Sequence, residues 1–130
     1  MKKIKILLHF VISIMLLSAC SDTGGLANSY RQISMDEAVE MMKKESDYII
    51  LDVRRADEFA EGHIPGAINL PNESIGTAEI PELPRKSQLI LVYCRSGRRS
   101  KEASEKLVKL GYTNIVEFGG ILDWKGEIER

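Results

Sequence analysis

Leu89-Ile90-Leu91-Val92-Tyr93 is a short apolar run that stops at Cys94 and gives way to the cationic segment Arg95-Ser96-Gly97-Arg98-Arg99. An unbroken run of branched and aromatic residues, without polar alternation, reads as a strand buried on both faces, which is the pattern of a parallel sheet. Beyond the cationic segment, Ala103, Leu107 and Leu110 recur at helical spacing within Ser100 to Leu110. The segment is therefore a loop between a strand end and a helix start. Unpaired N–H groups at a helix N-terminus and the helix dipole favour an anion, and three arginines add to that potential. Such surroundings lower a cysteine below its free value of about 8.5, so Cys94 is expected to react as a thiolate.

Outward from this loop, the pattern of strand and helix repeats. Tyr48 to Val53 is a compact apolar run, and Ala67 to Leu70 is a short strand between Pro65-Gly66 and Pro71. Ile115 to Phe118 is a further strand, closed by a turn at Gly119-Gly120. Ser34-Met35-Asp36-Glu37 is a capping-box pattern opening a helix from Met35 to Lys44, with Met35, Ala38, Val39 and Met42 on its core face. Ala56 to Glu61 is a short helix candidate. Gly111 stands where a helix C-terminus wants a left-handed residue, and Ile121 to Ile128 is read as a terminal helix with Ile121, Trp124 and Ile128 on one side. The stretch from Pro71 to Ser87, with Pro81 and Pro84, is mostly loop. These elements predict an α/β domain with an open, mainly parallel sheet and helices on both faces, and a ligand beyond the carboxyl ends of the strands, where Cys94 falls.

The chain has 130 residues and two cysteines. The second cysteine, Cys20, ends a segment that reads as a targeting signal. Lys2, Lys3 and Lys5 are followed by the apolar stretch Ile6 to Leu17, and Leu17-Ser18-Ala19-Cys20 resembles the bacterial lipobox. That resemblance implies a lipoprotein signal peptide over 1–19 with lipid on Cys20, a flexible tether over 20–29, one domain over 30–130, and an extracytoplasmic location at a bacterial membrane. A plain cleaved signal and an uncleaved anchor stay open as alternatives. The formal net charge of −1 becomes more negative without the three lysines, so no nucleic-acid affinity is expected. An unpaired Cys94 in an oxidising compartment calls for a chemical explanation. No metal or cofactor is expected, and the domain is read as a monomer.

Four separated pieces carry a family resemblance: Ile50-Leu51-Asp52-Val53-Arg54; Glu58-Phe59 with Glu61-Gly62-His63-Ile64-Pro65-Gly66-Ala67-Ile68-Asn69; Val92-Tyr93-Cys94-Arg95-Ser96-Gly97-Arg98-Arg99-Ser100; and Gly119-Gly120 with Trp124. In order and spacing they resemble the rhodanese-like domain in its single-domain sulfurtransferase form. The resemblance implies that Cys94 accepts sulfane sulfur from a small anionic donor such as thiosulfate. It implies that the loop of Arg95, Ser96, Gly97, Arg98 and Arg99 cradles the persulfide, and that a thiol or cyanide is the acceptor. Among the side chains, Arg95 and Arg99 are expected to hold the donor anion, with Arg98 a weaker choice.

Other readings of the same residues stay open. Cys-dependent phosphatases and arsenate reductases wrap their anion with C-x5-R, whereas Arg99 makes the pattern here C-x4-R and Ser100 is the sixth residue. A binding module that senses oxidants or carries sulfur needs the same thiolate. His63 is read as a structural hydrogen-bonding residue, Asp52 and Glu58 as partners of Arg54, Arg55 or backbone, and Trp124 and Phe118 as core.

Overall fold

The computed structural model describes residues 29–130. The expected signal peptide, Cys20 and all but the last residue of the expected tether lie outside the described residues. Eight elements follow in order: β1 (Arg31–Gln32), α1 (Met35–Lys44), β2 (Tyr48–Asp52), α2 (Ala56–Glu61), β3 (Ile68–Asn69), β4 (Leu89–Cys94), α3 (Arg98–Lys109) and β5 (Ile115–Gly120). The strands form one sheet in the order β1-β5-β4-β2-β3, and every adjacent pair is parallel.

β4 lies at the centre of the sheet, as an unbroken apolar run demands. Side chains alternate across a strand. Ile90, Val92 and Cys94 pack with Leu51, Val53, Ala103 and Leu107 on the α3 face. Leu91 and Tyr93 pack with Ala38, Ile50, Val116 and Phe118 on the α1 face. The sheet thus has a core on each side, and Cys94 is the last residue of its central strand.

The helix ends obey the sequence. Ser34 caps α1, its Oγ accepting the Glu37 N–H at 3.1 Å. At the far end of α3, Gly111 N–H reaches the Val108 carbonyl at 3.0 Å and Tyr112 N–H the Leu107 carbonyl at 3.1 Å, the two bonds of a Schellman ending. α3 begins at Arg98, two residues before the expected start, so Arg98 and Arg99 belong to its first turn.

Two readings need correction, and one strand went unread. β5 runs through Gly119 and Gly120 instead of turning there, because Gly120 pairs with Cys94. The expected terminal helix is only a 3-10 turn, Ile121–Asp123. Gly126 is a poor helix residue, and the tail instead exchanges two 2.9 Å backbone hydrogen bonds between Glu129 and His63. β1 carries no hydrophobic pattern and goes unforeseen; its two residues pair with Val116 and Glu117.

A buried polar corner joins β2 to α2. The Arg54 guanidinium donates to both Asp52 carboxylate oxygens, the shortest contact being 2.6 Å, and to the Gly62 carbonyl at 2.7 Å. Tyr93 donates to Asp52 at 2.6 Å and accepts the Ile64 N–H at 3.1 Å. Burial first, then the hydrogen bond to Asp52, pushes the Tyr93 phenol well above its ordinary value, so it stays a donor at any physiological pH. Asp52 and Arg54 therefore pair as expected, and they fix the start of α2 beside the Cys94 loop.

Candidate active site

Arg95, Ser96 and Gly97 connect β4 to α3. The connection is tight because Gly97 takes a left-handed conformation, φ 115°, which other residues resist. It also packs closely on β5: a Cβ on Gly120 would stand 2.0 Å from the Arg95 carbonyl oxygen, so only glycine fits there. These two glycines fold the loop back over the sulfur of Cys94. The Gly97 N–H points at Cys94 Sγ at 3.0 Å, and the Ser100 hydroxyl lies 3.4 Å from it.

Burial pushes the Cys94 thiol up. Hydrogen bonding from the Ser100 hydroxyl and from the backbone N–H groups of Ser100, Gly97 and Ser96 outweighs it, and the thiol ends below its ordinary value. The leading causes of the lowering are thus short-range donors: the loop N–H groups that the sequence suggested, and the Ser100 hydroxyl, ahead of the arginine charges. Alkylation of Cys94 should rise with pH through an inflection below about 8.5, the free-thiol value; an inflection at or above it contradicts this geometry. Cys94 is only 1% exposed and also packs in the core, so its sulfur is both buried and polarised.

Above the loop opens a cleft of about 810 Å³, lined by Arg54, Arg55, Glu58, Arg95, Ser96, Arg98, Arg99 and the apolar rim Ile121 and Leu122, among others. The arginines have different fates. Arg95 and Ser96 are exposed on the cleft wall, and Arg95 forms no ion pair among the described residues. Arg98 reaches outward to Glu102 at 2.9 Å in an exposed (i, i+4) pair. Arg99 is held by Glu58 through two hydrogen bonds, 2.6 and 3.1 Å. The bond to Glu58 leads in raising the Arg99 pKa, and Arg99 in turn leads in holding the Glu58 carboxyl below its usual range. The expected anion clamp at Arg99 is therefore shared with a carboxylate from α2.

The sequence offered backbone, Arg54 or Arg55 as partners of Glu58; the Arg55 N–H does donate to it at 3.4 Å and the Arg55 guanidinium lies 3.6 Å away, but the closer grip on Arg99 was missed. Ser100 and Glu117 were also missed. Ser100 was visible as the sixth residue after Cys94. Glu117 was visible as the one charge in Ile115-Val116-Glu117-Phe118, an otherwise apolar strand. His63 is structural, as read: its Nδ1 lies 2.9 Å from the Phe59 carbonyl, and its ring stacks on Phe59 with centroids 3.7 Å apart. Phe118 is core, and Trp124 is partly buried against the same cluster.

Residues 34–127 match the rhodanese-like domain family. The chain belongs to the rhodanese-like family. Among curated relatives, thiosulfate sulfurtransferase PspE of Escherichia coli is 36% identical over 73 residues, covering 56% of this chain and 70% of that protein. Thiosulfate sulfurtransferase GlpE of Coxiella burnetii is 37% identical over 97 residues, covering 74% and 88%. Among solved structures, a rhodanese with anions from E. coli superposes with a TM-score of 0.58 at 31% identity, covering 64% of this chain and 98% of that one. The family match and the solved structure thus agree with the rhodanese-like fold of this mainly parallel sheet.

Proposed function

We propose that this rhodanese-like protein is a sulfurtransferase that takes sulfane sulfur from thiosulfate or a related donor and hands it to a thiol or cyanide through a persulfide on Cys94. The observation that carries the reading is the Gly97 N–H and Ser100 hydroxyl converging on a buried sulfur whose thiolate they favour. The names of the PspE and GlpE relatives support it. In the first half-reaction the Cys94 thiolate attacks the outer sulfur of thiosulfate. A bond forms between Sγ and that sulfur, the sulfur–sulfur bond of the donor breaks, and its electron pair leaves on sulfite. In the second, an acceptor thiolate or cyanide attacks the outer sulfur and the electron pair returns to Sγ. The added sulfur stands about 2 Å beyond Sγ, which carries the reactive atom from the buried position of Cys94 toward the cleft. N–H groups already aimed at the anion need no reorganisation during either step, and removing one such donor typically costs on the order of a hundredfold in rate.

Within this reading, Arg95 and Arg99 hold the donor anion, and Ser96, Gly97 and Arg98 complete the loop. Arg99→Ala is expected to lower kcat/KM for thiosulfate about ten- to a hundredfold, the worth of a charge-assisted contact. Part of that loss comes from Glu58, whose charge is then met only by the more distant Arg55 at 3.6 Å and repels the donor. Steady-state assays of Arg99→Ala beside Glu58→Gln/Arg99→Ala separate the two: the double variant should recover part of the loss. Unchanged kinetics in Arg99→Ala would leave anion binding to Arg95 and the backbone.

We also propose that Cys20 carries lipid and anchors the domain outside the cytoplasm, on the strength of Lys2, Lys3, Lys5, the apolar stretch to Leu17 and Leu17-Ser18-Ala19-Cys20. Cys20→Ala should leave the precursor unprocessed and unlipidated in cell fractionation and mass analysis. A variant that matures and fractionates like the parent would contradict the anchor.

A further inference from the structure

Glu117 is a buried acid that the sulfur-transfer scheme above does not use. It is 3% exposed, on the α3 face of β5, with Val92 of β4 and Gln32 of β1 as its register partners. A bulge follows it: Val92 pairs with Glu117 but Cys94 pairs with Gly120, so β5 holds one extra residue beside the loop. Its Oε1 accepts the Gly119 N–H at 2.8 Å and lies 2.6 Å from the Ser100 hydroxyl. The same hydroxyl lies 3.4 Å from Cys94 Sγ, 2.9 Å from the Gly97 carbonyl and 3.3 Å from the Gly119 carbonyl.

A serine hydroxyl has one hydrogen. The Gly119 N–H can only donate, so Oε1 is an acceptor, and the short contact to Ser100 draws the hydroxyl hydrogen toward Glu117. A Cys94 thiolate needs that same hydrogen. We propose that Glu117 is a positioning residue that competes with Cys94 for the Ser100 proton, and thereby sets how readily the thiol ionises and how nucleophilic its thiolate is. The competition has a chemical use. Nucleophilicity falls as thiol pKa falls, so a thiolate stabilised by every donor in the loop would be abundant and sluggish. A carboxylate that withholds one donor keeps the sulfur reactive.

The charged groups around Glu117 leave this pairing isolated. From β4 the titratable neighbour is Cys94 itself. From β1 it is Arg31, exposed and in register with Val116. From α3, Arg98 is engaged by Glu102 and Arg99 by Glu58. Among the described residues, no other side chain forms an ion pair with Glu117.

The test is the pH profile of Cys94 alkylation by iodoacetamide in the purified protein, with thermal melts to confirm folding. A glutamine oxygen in the same place still accepts the Gly119 N–H but carries no charge, so it pulls on the Ser100 hydrogen less strongly and leaves more of it to Cys94. Glu117→Gln should therefore move the inflection down, raising the thiolate fraction about tenfold at a pH well below it, while the plateau rate at high pH falls about threefold. The two profiles cross; a merely structural lesion would slow or speed alkylation at every pH. Ser100→Ala removes the shared donor and should move the inflection up. Glu117→Gln made in that background should then shift it by much less than in the parent. An unmoved or raised inflection in Glu117→Gln overturns the proposal, and so does an equal shift with and without Ser100, which would mean simple charge repulsion. Alkylation needs no sulfur donor, so its outcome is independent of the sulfurtransferase reading. Only the catalytic consequence rests on that reading, and it predicts the same crossing in the pH profile of sulfur transfer.

Discussion

Cys94→Ser is expected to abolish sulfur transfer, with a loss on the order of a thousandfold or more in kcat for thiosulfate and cyanide. A hydroxyl at this position keeps the contacts of the buried site, since the Gly97 N–H and Ser100 still find an acceptor there. It cannot hold a persulfide, and it is not ionised at neutral pH. The variant should therefore melt close to the parent while losing turnover, which separates chemistry from folding. Residual turnover well above background would remove the covalent scheme, because no second thiol stands among residues 29–130.

Asp52→Ala is expected to be the most damaging single change to stability. Asp52 is fully buried, and Arg54, 6% exposed, depends on it for charge compensation. Removing one partner of a buried ion pair strands the other and typically costs about 3–5 kcal/mol, here with the Tyr93 hydroxyl losing its acceptor as well. For a domain of this size that corresponds to a fall in Tm on the order of 20 °C. The mechanism has a signature: Asp52→Leu with Arg54→Met should be more stable than Asp52→Ala, since the pair is replaced together. A loss under about 1 kcal/mol in Asp52→Ala, read by chemical denaturation, would show that water or another group compensates Arg54.

The architecture was legible because it is written in periodicity. The unbroken run of β4, the helical spacing of α3 and the Ser34 cap each state their element locally, and their alternation requires a covered parallel sheet. The C-terminal tail was not legible, because Ile121, Trp124 and Ile128 satisfy a helical period while the tail's backbone is claimed by His63, far away in sequence. The same limit governs the site. Cys94 and its loop are one contiguous stretch and could be read directly. Glu58 and Glu117 reach the loop from α2 and β5, so which arginine the first engages, and which hydroxyl the second contacts, are facts of tertiary structure. The loop N–H groups were legible as donors to the sulfur, but the arginine count overstated the cations' share: two of the three pair with carboxylates, and the leading donors are a hydroxyl and backbone N–H groups.

The central claim is that Cys94 accepts sulfur, and intact-protein and peptide mass spectrometry after incubation with thiosulfate tests it most directly. The account predicts a gain of one sulfur atom located on Cys94, released again by cyanide and absent in Cys94→Ser. A protein that stays unmodified with thiosulfate and with related sulfane-sulfur donors, while Cys94 remains open to alkylation, would contradict it.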